Sequence, residues 1–321
     1  ATLTAMIKAP GYYSPYGPNK NKLLEEKDYV LERMEKVRHI TKDQLKEAQQ
    51  EKIVFAENII SIKAPHFVMY VKKYLENKYG EDFLKEKGLK VYTTLNWDLQ
   101  DYAEQVIKEA DKSNKTFNAN NVALTVIDPK TGEILSLIGS KSYFEESYPK
   151  GCQETPQGLC LFTPKFDVAT MGLRQPGSAF KPFVYATAFK KGYTPDTILW
   201  DVKTEFNQHC SPDANQSKDA YGLDCYHPKN YDDMFRGKVS LRQSLAGSLN
   251  LPSVKTLYLS GLKDSIETAR DLGITTLNEP DRYGLSLVLG GGEVTLLEMT
   301  SAYGVFATEG SKAPLVSILK I

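Results

Sequence analysis

The segment Arg174-Gln-Pro-Gly-Ser178-Ala-Phe-Lys181-Pro182 places a serine three residues ahead of a lysine at what reads as a helix start. At i and i+3 on a helix the two side chains share one face, within hydrogen-bonding reach. A serine hydroxyl is a weak nucleophile until a partner takes its proton. Lysine is such a partner when burial beside other positive potential holds it neutral. Ser178 and Lys181 therefore read as nucleophile and base for acyl transfer. The alternative is a capping serine with a solvated lysine.

Ser-x-x-Lys occurs four times in the chain. A proline precedes the lysine in Ser147-Tyr-Pro-Lys150, which disfavours a shared helical face. Ser260-Gly-Leu-Lys263 carries a glycine and reads as a helix ending. Ser317-Ile-Leu-Lys320 lies in a strand-like run, where i and i+3 point to opposite faces. Only Ser178 has a stop before it, Pro176-Gly177, and a helical run after it, residues 183–189. Downstream stands Ser248-Leu-Asn250, the only Ser-x-Asn in the chain. Its hydroxyl can relay a proton, and its carboxamide offers a donor and an acceptor to a peptide bond. The competing reading is a turn.

Four cysteines form two close pairs, Cys152/Cys160 and Cys210/Cys225, both in loop-like sequence. Local pairing is the simplest of three connectivities and fits an oxidising compartment. His209, Cys210, Cys225 and His227 could instead supply zinc ligands, but their spacing matches no common zinc module, and no metal or cofactor is assigned. His39 and His66, like the other two histidines, have no Ser–His triad motif around them.

Residues 1–52 are charged and helical in pattern, broken early by Pro10, Pro15 and Pro18, with a helix start at Thr41-Lys-Asp-Gln44. Residues 65–79 read as a helix, 89–95 as a strand, and 97–112 as an amphipathic helix opened by Asn96. Residues 122–138 read as two strands joined by a tight turn at Lys130-Thr131-Gly132. Helix signals recur at 178–191, 241–248 and 253–260. Residues 205–230 form a long polar loop, and Gly290–Gly292 a tight turn rather than a phosphate-binding loop. Strands first and helices after imply an α+β layering. Forty basic and forty acidic residues cancel, which gives no footing for nucleic acid. There is no run of about 18 apolar residues of the kind that spans a bilayer.

Residues 174–182, 237–254 and 289–306 closely resemble the transpeptidase domain of class A (bifunctional) penicillin-binding proteins. Residues 3–16 and 30–34 resemble the end of that family's glycosyltransferase domain. The resemblance implies a penicillin-binding-protein/β-lactamase-like α+β fold with three parts: a helical remnant of the glycosyltransferase domain (1–52), a small linker module (53–118), and an incomplete transpeptidase domain (119–321). The alternative for the middle part is that it belongs to the main core.

The resemblance further implies a D,D-transpeptidase acting on D-Ala-D-Ala stem peptides and inhibited by β-lactams. Ser178 is its nucleophile, Lys181 its base, Ser248 its proton relay, and Asn250 holds the substrate backbone. Implied too are glycan strands as a partner, a membrane anchor upstream, glycosyltransferase activity in the parent protein, and a place on the extracytoplasmic face of the bacterial membrane. The family's third motif, Lys-Thr/Ser-Gly, is not reached before Ile321; Lys130-Thr131-Gly132 spells it but precedes Ser178. The fragment is therefore expected to acylate poorly or not at all. A non-catalytic penicillin-binding sensor or scaffold and a D,D-carboxypeptidase are the alternatives. A β-lactamase would need a water activator, and Glu279 matches one only by letter. Because Pro182 lacks an N–H, the first helical turn after Ser178 is expected to be irregular.

Overall fold

The computed structural model describes residues 1–10, 12–17, 19–55, 62–153 and 160–321, with only the backbone conformation of 85–87. Pro18, Gly11 of the 3–16 block, residues 56–61 of the expected linker module and the 154–159 stretch between Cys152 and Cys160 lie outside the described residues. The chain divides into two compact units, Ala1–Lys63 and Ala64–Ile321.

The first unit is helical: α1 (Thr2–Ile7), α2 (Lys20–Lys36) and α3 (Lys42–Gln50). The helix start read at Thr41 is a complete capping box. Thr41 Oγ1 accepts from Gln44 N–H, and Gln44 Oε1 accepts from Thr41 N–H, so two otherwise orphaned donors are satisfied.

In the second unit α4 (Pro65–Tyr79) begins with proline at its first turn and ends at Gly80, the usual asymmetry of helix ends. Phe67, Val71 and Leu75 recur every four residues on one face and pack with Ile134 and Leu137. After α5 (Glu81–Lys87) and β1 (Tyr92–Thr93), α6 (Trp97–Asn114) opens at Asn96, whose Oδ1 accepts from Leu99 N–H. Ala103 and Ile107 of α6 pack on Ile138. Ile134, Leu137 and Ile138 lie on β3 (Ile134–Ile138), which forms an antiparallel hairpin with β2 (Leu124–Ile127). Residues 64–118 thus share hydrophobic cores with the hairpin, and a boundary at 118/119 falls inside one compact unit.

The Lys130-Thr131-Gly132 triplet is the hairpin turn, closed by Gly132 N–H donating to Asp128 O. Further elements are α7 (Lys181–Lys190), β4 (Ile198–Asp201), β5 (Gly237–Ser240), α8 (Leu241–Ala246), α9 (Asn250–Ser260), α10 (Leu262–Leu272), α11 (Leu296–Ala307) and β6 (Ile318–Lys320). Strand β4 pairs antiparallel with β5, and β1 with β6. A second core joins the helices: Phe183 and Val184 of α7, Val254 and Leu257 of α9, Ile266 and Ala269 of α10, Met299 and Ala302 of α11. The result is the expected α+β mixture, with helix packing behind α7 and α9. Among the described residues no helix is long and apolar enough to cross a membrane.

Candidate active site

Ser178 lies in a 3₁₀ turn, Gly177–Phe180, that runs directly into α7 at Lys181. The Ser178 carbonyl accepts from Lys181 N–H, an i to i+3 bond. An i to i+4 bond would need an N–H from Pro182, which has none. The irregular first turn expected from the sequence is therefore present. It leaves Ser178 exposed at the surface and turns Lys181 inward, where it is only 1% exposed.

Lys181 Nζ donates to Ser248 O at 2.7 Å, to Ser248 Oγ at 3.1 Å and to Asn250 Oδ1 at 2.9 Å. An ammonium has three donors, and all three are used. Burial pushes the Lys181 amine down to about 8 from its ordinary 10.5, because desolvation disfavours the charged form. The sequence reading also invoked positive potential; desolvation is the cause found here.

Three of the four predicted residues are thus joined directly. Ser178 stands one turn away, exposed, and among the described residues no side-chain hydrogen bond takes its Oγ.

Ser248 and Asn250 are placed by the junction of α8 and α9. Ser240 closes a capping box on α8 with Gln243, and Gly247 ends that helix. Ser248 then takes φ +50°, a left-handed conformation costly for a residue with a Cβ. That single reversed residue presents both its carbonyl and its hydroxyl to Lys181.

The 289–306 block supports the nucleophile turn. Arg174 and Val294 exchange two backbone bonds of 2.9 Å. Tyr303 OH donates to Ala179 O at 2.7 Å, and the Tyr303 ring meets Phe183 edge-on. Gly290, at φ +90°, touches the turn so closely that an added Cβ would fall 2.2 Å from Gly177 N. The sequence had marked these glycines only as a turn.

Two residues of the site's surroundings escaped sequence reading altogether. Asn230 Oδ1 accepts from Asn250 N–H at 2.8 Å and Leu251 N–H at 3.2 Å, and its amide donates to both Asp201 carboxylate oxygens, at 3.0 and 2.9 Å. The readable signal was Asp201 itself, a charged residue at an inward position of β4, whose exposure alternates out and in.

Cys152–Cys160 and Cys210–Cys225 are both disulfides. Glu205 approaches Cys210 and Cys225 closely enough to suggest a metal cluster, but the disulfide leaves no thiolate to bind one. The Glu205 carboxylate instead accepts from Asn207 N–H, Tyr226 N–H and the His227 ring. Of the two readings weighed for Cys210 and Cys225, the local disulfide is the one formed.

The penicillin binding protein transpeptidase domain family matches residues 122–321. Penicillin-binding protein 2D of Bacillus subtilis is 32% identical over 97% of this chain and 41% of its own length. Penicillin-binding protein 1A of Aquifex aeolicus is 28% identical over all of this chain and 51% of its own. The chain thus spans about half the length of these relatives, or less. The crystal structure of penicillin-binding protein 1A from Haemophilus influenzae superposes with a TM-score of 0.64 at 21% identity, covering 95% of this chain and 55% of that one. At that identity the likeness is one of fold. The motif residues, the fold and the family match converge: the chain belongs to the penicillin-binding protein transpeptidase family, in its class A branch.

Proposed function

We propose that this chain carries a serine-type D,D-transpeptidase site for cross-linking peptidoglycan, with D-Ala-D-Ala stem peptides as donors and β-lactams as inhibitors. The observation that carries the reading is the buried, pKa-lowered Lys181 bonded to Ser248 and Asn250, one turn from an exposed Ser178. Ser178 Oγ attacks the carbonyl of the penultimate D-alanine, and its proton passes to neutral Lys181. The Ser178 N–H is positioned to donate to the developing oxyanion. Ser248 Oγ hands a proton to the departing D-alanine nitrogen and is reprotonated from Lys181. The peptide bond breaks and an ester to Ser178 remains. An amine of a neighbouring stem peptide then displaces Ser178, forming the cross-link; water in its place gives carboxypeptidation. Asn250 holds the substrate backbone.

The disulfides support an extracytoplasmic setting. A membrane anchor and a glycosyltransferase domain, with glycan strands as its partner, belong to the same reading of the whole protein. In it, residues 1–52 close the glycosyltransferase domain, 53–118 link, and 119–321 carry the transpeptidase.

One observation favours a second reading, a penicillin-binding sensor that does not turn over. All three Lys181 donors point to Ser248 and Asn250, and none reaches Ser178. Intact mass after incubation with a penicillin tests both, using the protein in its natural full-length context and Ser178→Ala beside it. A persistent one-to-one adduct lost in the variant supports the serine site, and release of D-alanine from a stem peptide then separates enzyme from sensor. No adduct on folded protein overturns both.

A further inference from the structure

The amino terminus of α9 is the backbone on which Asn250 sits, and its own cap residue, Leu249, has no side-chain acceptor to offer. The first N–H groups of a helix need acceptors from elsewhere. They find one about twenty residues upstream, where Asn230 Oδ1 takes the N–H of Asn250 and of Leu251. The Asn250 side chain is held by the same short segment: its Nδ2 donates to Lys229 O at 3.0 Å, while its Oδ1 accepts from Lys181.

Asn230 is 5% exposed and Asp201 is fully buried. An amide can face either way, but a carboxylate only accepts. Asp201, together with the Met234 carbonyl, which accepts from Asn230 Nδ2 at 2.8 Å, therefore turns the Asn230 nitrogen away from α9 and its oxygen toward it. Asp201 Oδ2 also accepts from Arg236 N–H at 3.0 Å, and among the described residues no ion pair involves it. Desolvating a carboxylate is costly, and here it is offset by these hydrogen bonds and by the nearby charges of Lys255 and Arg236.

We propose that Asn230, oriented by Asp201, is a positioning residue for this site: it caps α9 and so sets where the Asn250 carboxamide meets Lys181. The inference rests on the serine-site reading for its link to catalysis, but not for its effect on Lys181.

Two measurements on the intact protein test it. One is the ionisation midpoint of Lys181, read by NMR of ¹³C-labelled lysine. The other is the saturating rate of acylation by a fluorescent penicillin across pH. The variants are Asp201→Asn, which keeps the shape, Asn230→Ala, and Asp232→Ala. Asp232 pairs with the Arg236 side chain and accepts from Met234 N–H in the same loop, but itself makes no bond to Asp201, Asn230 or Asn250.

Asp201→Asn and Asn230→Ala are expected to move the Lys181 midpoint down, because a displaced Asn250 oxygen no longer stabilises the ammonium. They should also lower the saturating acylation rate about tenfold or more, while Asp232→Ala stays within about twofold of wild type. An unmoved midpoint overturns the inference. So does an equal loss in Asp232→Ala, which would mean a loosened loop, and so does failure of both chain variants to fold, which would mean a purely structural role. Absence of acylation in the wild type would instead sink the serine-site reading, and the NMR midpoint would still decide this one.

Discussion

Lys181 Nζ grips Ser248 twice, at the carbonyl oxygen (2.7 Å) and at Oγ (3.1 Å). The lysine is thereby anchored to the reversed residue between α8 and α9, and its charge state decides what Ser248 does. Protonated, the amine only donates. Neutral, it has a lone pair for a serine proton. The neutral form dominates above about pH 8.

In the protein's natural full-length context, acylation by a β-lactam should therefore rise with pH and level off above about 8. The rate at limiting concentration, measured from pH 6 to 10 by stopped-flow, is expected to titrate as one group, about tenfold slower per unit below the midpoint. A flat profile would remove Lys181 as the base.

The same depressed ionisation makes a stability prediction. Between pH 8 and 10.5 the unfolded chain holds a proton on this lysine that the folded chain has released. Stability rises with pH wherever the unfolded state binds more protons. The lysine therefore weighs most against folding below pH 8, and that cost fades between pH 8 and 10.5. Lys181→Met has no such titration. Wild type should gain on Lys181→Met by about 3 kcal/mol over that span, at about 1.4 kcal/mol per unit. Denaturant unfolding of both proteins at pH 7 and pH 10 gives the comparison. A gap that shrinks or stays fixed contradicts the buried-lysine account.

Much of this arrangement was legible before any coordinates. The Ser178/Lys181 and Ser248/Asn250 spacings, the missing N–H of Pro182 and the caps at Thr41 and Asn96 are local facts, and local facts survive folding. The packing of α4 and α6 on the hairpin was not legible, because it depends on contacts between residues such as Val71 and Ile134 that no window of sequence contains. Asn230 escaped for the same reason. It closes a loop rich in turn formers, and its role appears only when Asp201 and Asn250 arrive beside it. The direct Ser178–Lys181 bond was anticipated from helical spacing. The 3₁₀ turn changes the relation between the two residues, and Lys181 turns to Ser248 and Asn250.

Ser248 holds φ +50° at a site where its hydroxyl is assigned the proton relay. Stability and function should therefore separate on substitution. Ser248→Gly removes both the hydroxyl and the steric cost of the left-handed backbone, whereas Ser248→Ala removes only the hydroxyl. The glycine variant is expected to be more stable than the alanine variant by about 1 kcal/mol. Both should acylate roughly a hundredfold more slowly than wild type. Thermal unfolding with parallel acylation rates tests this. Equal stability of the two variants would show that the backbone is unstrained, and undiminished acylation would remove the hydroxyl from the mechanism.

Gly290 ties the 289–306 block to the nucleophile by shape alone. Its φ of +90° and the approach of Gly177 leave no room for a side chain: a Cβ would sit 2.2 Å from Gly177 N and 2.4 Å from Gly177 Cα. Backbone cannot swing aside as a flexible side chain can, so Gly290→Ala must displace the turn carrying Ser178. Gly284 is the matched control, since a Cβ there meets nothing within 4 Å and its φ is ordinary for any residue. Gly290→Ala is expected to lose more than about 1 kcal/mol of stability, and its remaining folded fraction should acylate at least about tenfold more slowly. Gly284→Ala should match wild type in both. If Gly290→Ala is destabilised yet its folded fraction acylates normally, the contact supports the fold but does not hold Ser178 in place. The positioning of the nucleophile would then rest on the Arg174–Val294 bridge and the Tyr303 hydrogen bond.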